Sequence, residues 1–321
     1  MNLLITGGYG FIGFNYLLYI LQFNHENINT IINVDNKTYA GKFLLKEKQK
    51  ILKQYSEKYK HYNCNINNFA KLDKIITKHK ITHIINFAAE THVDNSIKNP
   101  NIFVESNICG VQTLLELCKK YNIRFHQVST DEVYGSVDPE LDNVTEEFKL
   151  NPSSPYSASK TSADLLIQAY VKTFGINATI SRCTNNYGPW QHTEKLIPKV
   201  IYNAINDIKI PVYGNGLQMR NWIFVQDHCA AINKIINSND YAGEVFNIGS
   251  TTLIPNIEVI KQILQILQKP ESLIQYVTDR PAHDFCYHLN SAKITEKFNW
   301  REQNSFWNGL TNTIDFYQSW R

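Results

Sequence analysis

Three glycines close behind a short apolar run constrain what this chain can fold into. The run Asn2–Thr6 (NLLIT) leads into Gly7-Gly8-Tyr9-Gly10-Phe11-Ile12-Gly13, and an amphipathic stretch, Phe11–Phe23, follows. In a strand–turn–helix unit the first glycine permits a tight turn. The second lets a pyrophosphate approach the backbone, and the third lets the helix pack close to the strand. The helix start then offers unpaired N–H groups and a partial positive charge to an anion. A second apolar run, Thr30–Val34, ends at Asp35. A carboxylate there accepts hydrogen bonds from ribose hydroxyls and repels a 2′-phosphate, which favours NAD over NADP. The plainer alternative is a glycine turn with a surface Asp. The order strand, turn, helix, strand, acid weighs against it.

The same alternation continues. Asn2–Thr6, Thr30–Val34, His61–Asn63, His83–Asn86, Arg124–Ser129 and Ala178–Arg182 read as strands. Phe11–Phe23, Phe69–Lys78, Ile102–Tyr121 and Ser157–Phe174 read as helices. Strands alternating with helices of this length predict a parallel sheet, so the expected class is α/β. The architecture is a Rossmann-type doubly wound parallel sheet with a smaller α/β C-terminal substrate lobe. Beyond residue 184 the pattern is punctuated by Pro189, Pro198, Pro211, Pro255, Pro270 and Pro281, although Trp222–Val225 and Glu244–Ile248 still read as sheet. The expected division is 1–184 plus 221–250 for the cofactor domain and 185–220 plus 251–321 for the substrate lobe.

Bulk properties narrow the function. With 321 residues, 43% of them hydrophobic and 19% charged, the chain can bury a core without disulfides. A formal charge of +3 argues against a nucleic-acid coat. The one basic run, Lys42 to Lys60, also carries Glu47 and Glu57 and reads as a solvated helix face. Cys64, Cys109, Cys118, Cys183, Cys229 and Cys286 form no CxxC pair, so no metal site is expected and reduced thiols in the cytoplasm are. A strand directly after Met1 predicts no secretory signal. No apolar run reaches membrane-spanning length, so neither membrane nor nucleic acid is an expected partner.

Two segments carry candidate chemistry. Tyr156-Ser157-Ala158-Ser159-Lys160 places a phenol and an ammonium on one helix face. A nearby cation favours the phenolate, so Lys160 is expected to lower the Tyr156 pKa. Such a pair is also common on surface helices. Ser129-Thr130-Asp131-Glu132-Val133-Tyr134-Gly135 follows an apolar strand, at the end of a parallel sheet where ligands bind. Adjacent carboxylates can divide acid and base roles if their surroundings separate their pKa values. Neighbours in an extended strand point to opposite faces, so the chain must turn at Asp131 for both to reach one substrate. The plainer reading is a helix N-cap.

Taken together, the blocks TGGYGFIG, VDNKTYAG, NFAAETHVD, STDEVYG, YSASK, NNYGPWQHTEKLIP, PVYGNG, RNWIFVQDH, FNIG and DRPAHD resemble the dTDP-glucose 4,6-dehydratase family of extended short-chain dehydrogenase/reductases. They span nearly the whole chain, and the Thr-Asp-Glu block is the specific one. The resemblance implies an NAD-dependent lyase acting on a nucleoside-diphosphate-glucose (dTDP- or UDP-glucose). Tyr156, helped by Thr130 and Lys160, takes the C4 hydroxyl proton as hydride leaves C4. Glu132 removes the C5 proton, Asp131 protonates the departing C6 hydroxyl, and hydride returns to C6. It implies cofactor contacts from Gly7, Gly10, Phe11, Ile12, Gly13, Asp35, Asn36, Lys37, Thr38, Asn65, Ile66, Ala88, Ala89, Ser106, Tyr156, Lys160 and Asn186. Substrate contacts fall to Thr91, Thr130, Asn185, Lys195, Leu196, Pro211, Tyr213, Arg220, Asn256, Arg280 and His283, with Lys195, Arg220 and Arg280 suited to a diphosphate. A homodimer is implied through Ile102–Tyr121 and Ser157–Phe174.

Three positions depart from the family pattern. Asn65 stands for an Asp, Thr91 for a Ser and Ala282 for a Gly. The polar stretch 136–155 beside the carboxylates suggests a lid that displaces Tyr156 until substrate binds. A 4-epimerase and a non-catalytic NAD-binding regulator are the rival functions.

Overall fold

The first six strands alternate with helices and lie side by side. A computed structural model describes residues 1–23, 27–141, 144–238, 241–279 and 283–319. Arg280 and Ala282 lie outside the described residues. The strands are β1 (Asn2–Thr6), β2 (Thr30–Asp35), β3 (Tyr59–Asn63), β4 (His83–Asn86), β5 (Arg124–Thr130), β6 (Ala178–Cys183), β7 (Asn185–Tyr187), β8 (Ile210–Tyr213), β9 (Met219–Phe224), β10 (Val245–Ile248), β11 (Leu253–Pro255), β12 (Ile274–Val277) and β13 (Cys286–Tyr287). The main sheet runs β10-β6-β5-β4-β1-β2-β3 with every pairing parallel.

Helices cover both faces of that sheet, which is why β1, β2 and β4 read as almost unbroken apolar runs. β5 is buried along its whole length yet carries polar side chains. They pair across the sheet. Thr6 donates to Asn86, Asn86 donates to Gln127 (2.8 Å), and His126 meets Thr179 (2.9 Å) and Ser181 (3.1 Å). A buried polar group is tolerated when it is satisfied in this way.

One expectation about the sheet fails. Trp222–Val225 and Glu244–Ile248 were both expected to lie in the main sheet within 221–250, and only the second does. Instead β9 ends at Phe224 and joins a second sheet, between β11 and β13, with β7 also pairing to it. The return comes through the helix Val225–Ile236, whose Val225, Cys229 and Ile232 pack in one cluster with Leu17 and Ile20 of helix Phe11–Gln22, and then through β10. The second lobe closes on Val200, Ile201, Trp222, Val259, Ile263, Leu310 and Ile314. The basic run also departs from its expected role. Helix Leu45–Lys53 is solvated at Lys46, Glu47, Gln49 and Lys50, but Lys48 is 0% exposed.

Candidate active site

The strand order reverses between β4 and β1, and the carboxyl ends there open into a crevice. Gly7 sits at φ +68°, and a Cβ on it would lie 2.7 Å from the Ala88 backbone, so only glycine fits. A Cβ at Gly13 would lie 2.4 Å from the Gly7 carbonyl oxygen. Gly10 is extended and caps helix Phe11–Gln22 without a side-chain bond, which leaves first-turn N–H groups for an anion. One cavity is lined by Gly7, Gly10, Asp35, Asn36, Thr38, Asn65, Ile66, Ala88, Ala89 and Ser106. It adjoins a second holding Phe11, Ile12, Gly13, Tyr156, Lys160 and Asn186. These residues fit a dinucleotide: a side-chain-free cradle at one end and a carboxylate at the other.

Asp35 accepts the Tyr9 N–H (2.8 Å) and the Lys37 N–H (2.6 Å), while burial raises its pKa. Lys37 is a left-handed residue (φ +54°), with its ammonium over the Tyr9 ring. It orients Asp35 and does not line either cavity. Asn65 turns its Oδ1 to the Asn67 N–H (2.9 Å). Asn186 is locked at both ends, donating to the Thr184 carbonyl (2.9 Å) and accepting from His228 (2.8 Å).

Thr130, Asp131, Glu132, Tyr156 and Lys160 line the same cavity. The required turn is present. β5 ends at Thr130, and Asp131–Tyr134 forms a short 3-10 turn capped by the Thr130 hydroxyl, which accepts the Glu132 N–H (3.3 Å). The cap and the site are therefore one feature. Thr130 also donates to Asp131 Oδ1 (3.1 Å), whereas the buried Oδ2 has no partner among the described residues. Burial, and then the Glu132 charge, push the Asp131 pKa to about 8 against the opposing pull of Thr130 and Arg220. Burial thus favours the protonated form of Asp131.

Tyr156 enters at the second position of helix Pro155–Phe174, whose start is fixed by Pro155 and a Ser154/Ser157 capping box. Its phenol was expected to be acidified by Lys160. The structure reverses that: burial, followed by the Glu132 charge, raises its pKa well above the usual tyrosine value. Lys160 donates to the Val128 carbonyl (2.8 Å), and burial lowers its own pKa.

Thr91, Asn185, Lys195, Leu196, Pro211, Tyr213, Arg220, Asn256 and His283 line an adjoining cavity that also reaches Glu132. The buried side-chain oxygens of Asn185 and Asn256 have no partner among the described residues. Lys195 donates to the Thr91 carbonyl (3.1 Å). Arg220 is more committed than expected, bonded to the carbonyls of Met219, Asp284 and Phe285 and stacked 4.4 Å from the centre of the Tyr287 ring. His283 pairs with Asp279 (2.6 Å).

Sequence reasoning gave Cys183 no place in the site, yet its thiol bonds the Ser129 carbonyl (3.3 Å) inside the cavity lined by Tyr156 and Lys160, where burial pushes its pKa up to about 12. It also passed over Glu194, which accepts from the Tyr39 hydroxyl (3.1 Å) and lines both the cavity of Tyr156 and the adjoining one. Its place inside NNYGPWQHTEKLIP was the available signal. The described part of the stretch expected to form a lid makes several contacts with the rest of the fold. Val137 and Val144 are buried with Tyr134, the Asn151 N–H bonds the Val133 carbonyl, and Glu146 accepts the Asn247 N–H (2.7 Å). Tyr156 is buried with its ring edge-on to Phe103. Among the described residues no group of three His, Cys, Asp or Glu could hold a metal, and no helix is long and apolar enough to cross a membrane.

Comparison with known proteins agrees with this geometry. A family model described as GDP-mannose 4,6 dehydratase matches residues 4–313. A dTDP-glucose 4,6-dehydratase of Escherichia coli is 40% identical, over 99% of this chain and 93% of that protein. A dTDP-glucose 4,6-dehydratase of Bacillus anthracis, crystallised with NAD, superposes with a TM-score of 0.90 at 42% identity, covering 99% of this chain and 97% of that one. The enzyme of the same name from Streptomyces venezuelae gives 0.94 at 36%, with the same coverage of both chains. A UDP-glucose 4-epimerase of Thermotoga maritima, at 23% identity and 0.88, shares the fold.

Proposed function

This chain belongs to the dTDP-glucose 4,6-dehydratase family, and we propose that it removes water from dTDP-glucose, with UDP-glucose as a second donor, to give the 4-keto-6-deoxy sugar nucleotide. It is an NAD-dependent lyase. The observation that carries the reading is the convergence of Thr130, Asp131, Glu132, Tyr156 and Lys160 on one cavity. An epimerase has no use for two carboxylates there.

Gly7, Gly10 and the N–H groups of Phe11 and Ile12 would hold the NAD phosphates, and Asp35 the adenosine ribose. When bound, NAD supplies a positively charged nicotinamide that removes and later restores hydride on the sugar. The chain's own residues handle the protons. The resting Tyr156 phenol is protonated. Positive charge beside it lowers its pKa, so Tyr156 acts as base on the C4 hydroxyl only in the loaded enzyme. A C4 ketone acidifies C5, Glu132 takes that proton, and Asp131 delivers its own to the C6 hydroxyl as water leaves. Proton transfers of this kind contribute roughly 10²–10⁴-fold each. Lys195 and Arg220, with Arg280, neutralise the diphosphate. The nucleotide end would then lie on the second lobe, where Pro211, Tyr213 and Asn256 line the adjoining cavity. The two donors differ by a thymine methyl, worth at most about 1–3 kcal/mol in discrimination, and by a ribose 2′-hydroxyl.

We assign the protein to the cytoplasm, in keeping with six unpaired cysteines, and to a homodimer. The exposed Ile97, Ile102, Val104 and Leu165 on or near the two helices support that pairing. Incubation with dTDP-glucose tests the function. The expected product is a keto sugar nucleotide lighter by one water, and Asp131→Asn or Glu132→Gln abolishes it. A product of unchanged mass with inverted C4 means an epimerase.

A further inference from the structure

Lys48 contradicts its surroundings. Its neighbours on helix Leu45–Lys53 are solvated, yet its own side chain is wholly buried. Lysine is almost never fully buried without a partner, and a methionine would fill the same slot at no electrostatic cost. The ammonium donates to the Tyr9 carbonyl at 2.7 Å and lies 5.3 Å and 5.9 Å from the ring centres of Phe14 and Phe43. Tyr9 is the non-glycine residue inside the Gly7–Gly10 turn. Its N–H is held by Asp35 at 2.8 Å. The peptide units on both sides of Tyr9 are therefore fixed, one by a buried anion and one by a buried cation. The Tyr9 carbonyl is also the acceptor that a helix begun one residue earlier would offer to the Gly13 N–H, four residues on. With that carbonyl on Lys48, the helix starts at Phe11 and its first N–H groups stay turned to the cavity. Asp35 and, more weakly, His192 are the other charged or titratable groups that feel the ammonium.

We propose that Lys48 is a positioning residue for the cofactor's diphosphate: it sets the glycine turn through the Tyr9 carbonyl and places a positive charge behind the helix N–H groups that meet the phosphates. This rests on the cofactor assignment above. It adds a residue that lines neither cofactor cavity and that lies outside the glycine motif.

The test is ligand binding by the full-length protein, followed by calorimetry, for NAD, ADP and adenosine. Lys48→Met keeps the bulk and removes both charge and donor. Lys48→Gln keeps a donor without charge and serves if the methionine variant does not fold. The expected result is a loss of roughly ten-fold or more in NAD and ADP affinity, with adenosine changed by no more than about three-fold because it carries no phosphate. Lys48→Gln falls between wild type and Lys48→Met. An equal loss for ADP and adenosine means a general disturbance of the domain and overturns the proposal, as does unchanged affinity for all three. A wild-type protein that binds neither NAD nor ADP instead overturns the cofactor assignment itself. That outcome is distinct from one in which wild type and variants bind both equally well.

Discussion

Replacing Asp131 by asparagine removes a charge that the folded chain does not carry at neutral pH. Burial and the Glu132 charge lift this carboxyl from 3.8 to about 8. In the unfolded chain it ionises near the ordinary aspartate value. Between the two values the folded state holds a proton that the unfolded state has released, so stability falls as pH rises. The contribution is whole below the unfolded pKa and is lost as pH climbs through about 8. The slope is about 1.4 kcal/mol per pH unit, or about 4 kcal/mol between pH 5 and pH 8. Asparagine matches the protonated acid in shape, keeps an oxygen for the Thr130 hydroxyl, and is neutral in both states. For a chain of this length the unfolding entropy is about 0.7 kcal/mol/K. The melting temperature of Asp131→Asn should therefore gain on wild type by about 6 °C over that interval. Scanning fluorimetry from pH 5 to pH 8, at fixed ionic strength and fixed NAD, measures the gap. The same variant should be inactive, because an amide has no proton to give a leaving hydroxyl. A gap that does not move with pH, or a variant less stable than wild type at pH 8, would refute the claim that Asp131 is held protonated.

Other expectations follow from the same geometry. Tyr156→Phe should lower kcat by about 10²–10⁴-fold while leaving the calorimetric affinity for NAD within a factor of about three. Asp164→Ala strands the buried Arg182, whose Nε it accepts at 2.9 Å, and should cost about 3–5 kcal/mol by denaturant titration; a loss below about 1 kcal/mol would mean that the pair is hydrated. Gly135→Ala puts a Cβ 2.2 Å from the Asn151 carbonyl oxygen at φ +72°, so it should displace the segment after the 3-10 turn and lower both melting temperature and kcat. Wild-type values for both would show that the segment yields freely.

The cofactor turn was legible because its demands fall on the backbone. Gly7 and Gly13 stand where any side chain would strike the Ala88 or Gly7 backbone, and no tertiary context alters that. The turn at Asp131 was legible too: the Thr130 hydroxyl caps it, and Thr130, Asp131 and Glu132 line one cavity. Other features depended on neighbours that a linear reading cannot supply. The apolar end of β9, Trp222–Phe224, would be buried in either sheet, so its pattern announces a strand without saying which layer it joins. Lys48 has the context of a solvated helix, and only the approach of Phe14, Phe43 and the Tyr9 carbonyl puts it inside. The pairing of Tyr156 with Lys160 gave the wrong sign for the phenol. The helix spacing was right, but Lys160 turns to the Val128 carbonyl, and burial and Glu132 dominate.

β10 reaches the edge of the main sheet only after the chain has crossed the second lobe, and it covers β6. A nascent chain that has emerged as far as residue 184 holds six of the seven strands, with one flank of Ala178–Cys183 bare. Bare strand flanks recruit other chains. A fragment ending before β10 should self-associate however well its glycine turn has formed.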